Sequence, residues 1–351
     1  SVIIPFKIPS EGLFKETIPA ILSQSYQDFE IILLPDEKFK AEFPKTKIIP
    51  TWPKIGPADK RNIGAQKAKG EVLAFIDDDA YPNKDWLKNA ITIFKTSNER
   101  ASASDHASSV KRSISAVCGP GVTPPNDPLL AQISGWIWAS FLGSGGAGQY
   151  RCWPGRRREV DDFPTFNLIV KKSDFKKVGG FDSRFWPGED TKLCHDLVYK
   201  LDKKIIYNPK IFVYHHRRKI FIPHLKQIGR YGLHRGFFVK ILPKTSKRIG
   251  YFLPLLFTAG VLLAPIACLL SFILKFFLLA KIIAIIYLSV IGIYSLGLLL
   301  TGLWVLLKSK SLLMAILVMP TIFISHLFYG IMFFRGLAKK VVKSKFSRKA
   351  V

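Results

Sequence analysis

The stretch VLAFIDDDAYP (72–82) places an apolar run, Val72–Ile76, directly before Asp77, Asp78 and Asp79. Adjacent carboxylates repel one another, so a folded chain that keeps three together needs a positive charge nearby. Hard oxygen ligands of this kind suit Mg²⁺ or Mn²⁺, which retain some waters and share phosphate oxygens. An acidic loop or a helix N-cap explains one of the aspartates well and three poorly. The stretch therefore predicts a divalent-cation site at the C-terminal end of a buried strand.

Short apolar runs bounded by turn residues recur through the first part of the chain. They lie at 1–5, 29–35, 47–50, 71–77, 114–120 and 166–170. Helix-like segments lie among them at 12–24, 57–69 and 84–95. This alternation predicts an α/β fold with a mostly parallel central sheet. Because ligands bind beyond the carboxyl ends of strands in such sheets, we expect Asp36 and the aspartate triplet on one edge.

Two further stretches place charged residues at predicted helix starts. GPADKRNIGAQKAKGE (56–71) carries Arg61 in the first turns of a helix, either on a solvated basic face or near a diphosphate. WPGED (186–190) precedes a helix that begins near Glu189 and Asp190. The helix dipole alone explains acidic residues there, but the aromatic turn before them also fits a site.

The last part of the chain is strongly apolar and aromatic. Its stretches 250–274, 282–307 and 312–334 reach or exceed the roughly 20 apolar residues needed to cross a bilayer. We therefore predict a transmembrane region with about three apolar segments. These segments contain no Asp or Glu, and intramembrane carboxylates commonly mark ion pathways. Their absence argues against a transport component.

The chain has 351 residues and a formal net charge of +27, which fits nucleic acid, anionic lipid or a phosphorylated substrate. The apolar segments favour the last two, and no RNA-binding motif or zinc-knuckle spacing is present, so no nucleic-acid partner is expected. Basic groups at 244–248 and 339–349 adjoin apolar segments, as polybasic segments beside membranes do. The four cysteines are scattered without a CxxC, which predicts a reducing compartment and no disulfide framework.

These patterns predict four ranges along the chain. They are a catalytic domain at 1–218, an amphipathic interfacial segment at 219–248, the transmembrane region at 249–337 and a basic tail at 338–351. The positive-inside rule favours a cytosolic catalytic half, next to Lys244–Arg248. Three full spans would place the basic tail on the opposite face, against the same rule. Either one segment is re-entrant, with a break at Pro254, Pro265 or Pro320, or the tail lies on the far side.

The ordered set of motifs resembles family 2 glycosyltransferases with the GT-A nucleotide-sugar-binding fold. The matching stretches are SVIIP, Asp36, GPADKRNIGA, IDDD, VGGFD and GED, in that order. Further on, QIGRY (227–231) is similar to the Q-x-x-R-W element of membrane-bound processive members, with Tyr231 in place of Trp. The stretches 214–236 and HLFYGIMFFRG (326–336) resemble bacterial exopolysaccharide glucosyltransferases of the succinoglycan type.

The resemblance implies roles for individual residues. Those that it places at the nucleotide sugar are Pro5, Asp36, Arg61, Asp77, Asp78, Gln227, Arg230 and Tyr231. Within this set, Pro5 and Asp36 would lie at the nucleobase. Mg²⁺ or Mn²⁺ would be held by Asp77, Asp79 and His215. Asp190, beside Glu189 in the candidate catalytic pair, would be the general base that takes the proton of an acceptor hydroxyl.

The implied activity is inverting, metal-dependent transfer of a sugar from a nucleotide-sugar donor, expected to be a UDP-sugar. The acceptor would be lipid-linked or membrane-associated, in polysaccharide or glycolipid biosynthesis. A polyprenyl-phosphate glycosyltransferase would use similar residues and stays an alternative, as does a nucleotide-regulated membrane transport component of a different class. The implied location is a bacterial-type inner membrane, with a cytoplasmic catalytic domain. The glycine-rich stretch 134–162 is expected either to meet the acceptor or to be a disordered insertion.

Overall fold

The computed structural model describes residues 1–102, 112–146 and 148–340, and contacts divide the chain into two compact units. The first unit comprises Ser1–Pro124 and Tyr150–His216, and the second comprises Pro125–Gln149 and Arg217–Val341. Residues Pro125–Gln149 thus group with the apolar C-terminal part, although they lie inside the range 1–218 that the sequence assigns to one domain. Most of the predicted basic tail lies outside the described residues.

The described strands form two sheets in the first unit. They are β1 (Val2–Pro5), β2 (Ile31–Leu34), β3 (Thr46–Ile48), β4 (Val72–Ile76), β5 (Ala80–Pro82), β6 (Ile114–Cys118), β7 (Gly121–Val122), β8 (Arg158–Val160), β9 (Asn167–Lys171), β10 (Lys204–Tyr207) and β11 (Val213–His215). The large sheet has the order β3-β2-β1-β4-β9-β6-β10-β8, and the small sheet has the order β5-β11-β7. In the large sheet only β9 and β8 run antiparallel to their neighbours. The predicted α/β fold with a mostly parallel sheet is confirmed.

Helices are found in both units. Those of the first unit are α1 (Ile18–Leu22), which follows a π-helical turn at Leu13–Thr17, α2 (Pro57–Lys67), α3 (Trp86–Ser102), α5 (Lys172–Lys177) and α6 (Glu189–Tyr199). Those of the second unit are α4 (Leu129–Ala139), α7 (Ile222–Ile241), α8 (Pro243–Ser246), α9 (Ile249–Ile273), α10 (Phe277–Ser309) and α11 (Leu312–Ala338).

The core of the first unit lies along β1, β2 and β4, whose apolar side chains are almost completely buried. Helix α2 packs closely on this layer at Gly64. A Cβ atom at Gly64 would lie 2.7 Å from Cγ2 of Ile3 and 2.9 Å from Cδ1 of Leu34. A glycine is therefore required for the approach that brings the start of α2 to the strand ends.

Each apolar run predicted as a strand contains one, but the stretch 134–162 is neither a single loop nor a disordered insertion. It contains the end of α4, a 3₁₀ turn at Gln149–Arg151 and β8. Ile133 and Ile137 of α4 belong to a buried cluster of the second unit, and β8 pairs with β10 at the edge of the large sheet. Burial of apolar side chains and edge pairing give this stretch a structure that its glycine content does not indicate.

The second unit contains three described helices that are long and apolar enough to cross a membrane: α9, α10 and α11. They coincide with the three predicted segments. Pro254 and Pro265 lie inside α9, and Pro320 lies inside α11, without interrupting either helix. The predicted break at a proline is therefore wrong, because a long apolar helix tolerates proline when neighbouring groups compensate the lost hydrogen bond.

The three long helices contact one another pairwise, and each pair is antiparallel at its contact. In each pair of helices, a residue later in one helix contacts a residue earlier in the other. Between α9 and α10 the contacts are Phe257–Tyr294 and Cys268–Ala280, and between α10 and α11 they are Tyr294–His326 and Gly302–Ala315. Between α9 and α11 they are Phe252–Phe333 and Thr258–His326. Helix α7, by contrast, runs in the same direction as α11. Gly229 faces the ring of Phe328 near one end of their contact, and Lys240 donates to the carbonyl oxygen of Leu337 near the other.

Candidate active site

The aspartate triplet follows β4 directly and leads into β5. The small sheet then brings a distant segment to it, because β11 pairs antiparallel with β5 and sets His215 opposite Ala80. The backbone N–H of His216 also donates to the carbonyl oxygen of Asp79 at 3.0 Å. Strand pairing therefore delivers an imidazole to the acidic turn.

Asp77, Asp79 and His215 form a group that could hold a metal ion. One ligand atom from each lies within 4.8 Å of the others. Nε2 of His215 is 3.2 Å from Oδ1 of Asp79, and the His215 ring packs on Phe166 with 4.8 Å between ring centroids. Two carboxylates and one imidazole are donors that a divalent transition metal accepts, so the residues fit the predicted cation.

Asp78 lies between the two carboxylate ligands in sequence. Burial, followed by the charges of Asp79 and Asp77, raises the pKa of Asp78 to about 7. Its carbonyl oxygen accepts a hydrogen bond from the Thr17 hydroxyl at 3.4 Å. The crowding of negative charge at this turn is what a bound cation would offset.

Arg61 joins the aspartate turn to the start of α6. Its Nη2 donates to Oδ1 of Asp77 at 2.7 Å, and its Nη1 donates to Oε1 of Glu189 at 3.0 Å. Arg61 is 4% exposed, and its Nε has no hydrogen-bond partner among the described residues. Protein carboxylates thus occupy both terminal nitrogens, and the predicted contact of Arg61 with a base or diphosphate stays a prediction.

Glu189 and Asp190 are adjacent but have different surroundings. Glu189 is 5% exposed, and besides Arg61 it accepts a hydrogen bond from the Gly188 N–H at 3.0 Å. Asp190 is half-buried, and its Oδ1 accepts from the N–H of Thr191 at 2.7 Å in the first turn of α6. Of the two carboxylates, Glu189 is held by a buried cation and Asp190 is the more accessible.

Asp36, predicted at the nucleobase, follows β2 and is 6% exposed. The Lys60 ammonium, 2% exposed, donates both to this carboxylate and to the carbonyl oxygen of Phe6. Pro5 is the last residue of β1 and pairs with Leu34 of β2. Pro5 and Asp36 therefore lie at the ends of adjacent parallel strands, as the sequence predicts, with the Asp36 charge already balanced by a lysine.

Gln227, Arg230 and Tyr231 lie on α7 in the second unit. Arg230 is exposed, and Tyr231 is 43% exposed with its ring set edge-on to Trp138 at 5.6 Å between centroids. The helix spacing predicted for these residues is present. Their assignment to the nucleotide sugar stays a prediction.

Sequence reasoning missed residues that hold the site in place. Two of them, Lys60 and Asn62, flank the predicted Arg61, and Asn62 exchanges two hydrogen bonds with the backbone of Phe181 at 2.8 and 2.9 Å. Asn167, completely buried, accepts from the Trp86 indole and donates to the carbonyl oxygens of two loops. A polar residue within an apolar strand run, as in FNLIV, was the available signal for Asn167.

Comparisons with known proteins show similarity to glycosyltransferases. Residues 1–105 match the model of glycosyl transferase family 2. A pre-mycofactocin glycosyltransferase of Mycobacterium tuberculosis is 24% identical over 46% of this chain, but the match spans only 30% of that relative. A glucosyl-dolichyl phosphate glucuronosyltransferase of Haloferax volcanii is 21% identical over 61% of this chain and 67% of the relative. A solved mannosyltransferase of Pyrobaculum calidifontis, in complex with GDP-Man and Mn²⁺, has a TM-score of 0.47 and 16% identity over 94% of this chain and 86% of that chain.

Strands β1 to β4 of the large sheet and the acidic turn after β4 lie in the segment that matches this family model, which marks that segment as part of a glycosyltransferase domain. The chain is therefore a glycosyltransferase, and its residues 1–105 match family 2, as the motifs predict. The narrower resemblance to succinoglycan-type enzymes stays a prediction.

Proposed function

We propose that this chain transfers a sugar from a nucleotide-sugar donor to a lipid-linked or membrane-associated acceptor, in a metal-dependent and inverting reaction. The observation that carries the proposal is the grouping of Asp77, Asp79 and His215, which Arg61 connects to the pair Glu189–Asp190. One buried cation thereby joins the candidate metal site to Glu189, the neighbour of the candidate base Asp190.

The donor set favours Mn²⁺ as the metal. Mg²⁺ strongly prefers oxygen ligands in a strict octahedron, whereas an imidazole nitrogen suits transition metals better. Asp77, Asp79 and His215 would hold the ion. When bound, it supplies positive charge that stabilises the departing nucleoside diphosphate.

Residues of the protein transfer the proton and hold the site in position. Asp190 takes the proton of the acceptor hydroxyl as that oxygen bonds to the anomeric carbon and the bond from this carbon to the diphosphate oxygen breaks. A single base opposite the leaving group gives direct displacement, hence inversion. Arg61 keeps Asp77 in position for the metal, and Glu189 supplies the second carboxylate that holds the guanidinium.

The acceptor proposal rests on the three apolar helices of the second unit, which are long enough to reach membrane lipids. The Haloferax relative's name, which refers to glucosyl-dolichyl phosphate, supports a lipid-linked acceptor. Together they favour a membrane location, with the catalytic domain on the cytoplasmic side where nucleotide sugars are available.

The test is a turnover assay with the purified full chain. UDP- and GDP-sugars labelled in the sugar are supplied with a membrane-lipid extract and Mn²⁺, and both released nucleoside diphosphate and label in the lipid fraction are measured. We expect one donor to give both products, none with EDTA, and a product anomer opposite to the donor's. Nucleotide release without label in lipid would contradict the acceptor proposal. Retained configuration would contradict the single-base mechanism.

The same assay separates the two acceptor classes. Purified polyprenyl phosphate as the only acceptor tests direct loading of a lipid phosphate, and a lipid that already carries sugar tests chain extension. We expect extension of a sugar-bearing lipid, because the resemblance extends to exopolysaccharide enzymes. Transfer to polyprenyl phosphate alone would favour the alternative.

A further inference from the structure

The charged residues of the second unit are almost all basic. After Asp202 the sequence contains no aspartate or glutamate, while lysine and arginine recur to its end. The second unit has one acidic residue, Asp127, whose carboxylate accepts a hydrogen bond from the backbone N–H of Arg217. Any further counter-charge for the basic groups of this unit must come from outside its own sequence.

Arg235 is a basic residue of α7 that contacts another helix of the second unit. Its Cζ lies 4.8 Å from the centroid of the Tyr251 ring on α9. The Tyr329 ring of α11 stacks on Phe333, which packs edge-on against Phe252, the neighbour of Tyr251. Gly232, one turn before it, is close enough to α11 that a Cβ there would lie 2.7 Å from the Tyr329 carbonyl oxygen. A half-buried guanidinium therefore lies where three helices meet.

The two tyrosines at this junction carry unsatisfied hydroxyls. Oη of Tyr251 and Oη of Tyr329 are both buried, and neither has a hydrogen-bond partner among the described residues. Buried polar groups in folded proteins are nearly always paired, and leaving one unpaired is unfavourable. Two phenol donors beside one guanidinium call for an acceptor that is negatively charged and has several oxygens.

We infer that Arg235, Tyr251 and Tyr329 together bind a phosphate group, and that this phosphate belongs to a membrane phospholipid. A guanidinium recognises phosphate oxygens through paired N–H donors, and each phenol adds one hydrogen bond. The lipid source follows from position. Tyr251 lies in the first turn of a candidate span that begins at Ile249, directly after Lys247 and Arg248. Tyrosine and basic residues at the end of a span lie at headgroup level.

The experiment measures lipid binding by the delipidated full chain in detergent, from its thermal stability. The probes are dioleoylphosphatidylglycerol, dioleoylglycerol (which has the same chains and no phosphate) and inorganic phosphate. We expect the phospholipid to raise the unfolding temperature and the other two to leave it unchanged. Equal stabilisation by dioleoylglycerol would overturn the phosphate site. Equal stabilisation by inorganic phosphate would overturn the lipid source.

Variants at this junction test whether the phospholipid binds there. The double variant Tyr251→Phe with Tyr329→Phe removes two hydroxyls that bond to no described residue, so its lipid-free stability should match that of the unmodified chain. Its apparent affinity for the phospholipid should fall about ten-fold or more, because hydrogen bonds to charged groups are lost. Tyr287→Phe on α10 is the matched control and should bind normally. Arg235→Lys, which keeps the charge but loses the paired donors, should also bind more weakly. Unchanged affinity in the double variant would overturn the proposal.

Discussion

The Asp79 side chain is 59% exposed, against 30% for Asp77 and 13% for His215, so it is the proposed metal ligand that can be changed with least effect on the core. We expect Asp79→Asn to weaken Mn²⁺-dependent binding of a nucleoside diphosphate at least about ten-fold, as loss of groups around a metal does. Calorimetry with and without Mn²⁺ measures this. Glu42→Gln, at another exposed carboxylate, is the control. If both variants show the same Mn²⁺ dependence, Asp79 is not a ligand.

Glu189 and Asp190 should respond differently to loss of charge. Asp190→Asn should lower kcat by ~10²–10⁴-fold while nucleotide binding and thermal stability stay nearly unchanged, since a general base acts on the chemical step. Glu189→Gln should lower the unfolding temperature, because it removes one of two carboxylates that pair with the buried Arg61 guanidinium. Turnover, calorimetry and thermal unfolding of both variants separate the two roles. Near-normal turnover of a folded Asp190→Asn variant would show that Asp190 is not the general base and only stabilises the start of α6.

The aspartate triplet could be located from sequence because the apolar run before it identifies a strand and its end. The hydrogen-bond partners of Arg61 could not be identified from sequence. Helical spacing indicates which residues share a face, but Asp77 and Glu189 reach Arg61 from two separate elements whose packing the spacing does not determine. The same holds for Lys60, whose acceptor Asp36 follows a different strand.

At the scale of elements, the contact between α7 and α11 depends on glycine. A Cβ at Gly236 would lie 2.1 Å from the carbonyl oxygen of Phe333, and one at Gly336 would lie 2.1 Å from that of Leu233. We expect Gly236→Ala to destabilise the second unit by about 1–3 kcal/mol through overpacking, seen as a lower unfolding temperature in detergent. Gly260→Ala is the control, because nothing lies within 4 Å of a Cβ at that position of α9. Equal unfolding temperatures for the two variants would contradict the contact.

Strands within apolar runs were predictable, and the shortest strands outside such runs were not. The runs that became β1, β2 and β4 are continuous and apolar, so burial alone identifies them. Strands β5, β7 and β11 have only two or three residues, too few to show a period, and they exist because they pair with one another. His215 could be named from sequence only through family resemblance, since its place beside Asp79 depends on that short pairing.

For the whole molecule, the side of the membrane on which the chain ends can be tested. The second half of α11 runs alongside α7, which carries Lys226, Arg230 and Arg235 and is too basic for the hydrocarbon core. We therefore expect Lys340→Cys to react with a membrane-impermeant maleimide from the same side as Lys247→Cys, in a background without the native cysteines. Lys275→Cys, between α9 and α10, should react from the other side. If Lys340→Cys instead reacts together with Lys275→Cys, the chain crosses three times.

The pairwise contacts of the three apolar helices carry a geometric consequence. If each of α9, α10 and α11 is drawn as an arrow along the chain, each arrow opposes the other two where they touch. Two helices can be antiparallel along one axis, but a third straight helix along that axis must be parallel to one of them. The three helices therefore cannot all be straight and within the roughly 40° of tilt that membrane helices show. At least one is bent or lies oblique to the bilayer normal. Length and hydropathy show that a helix can cross a bilayer, whereas the direction of the helix axis decides on which face of the bilayer the chain emerges.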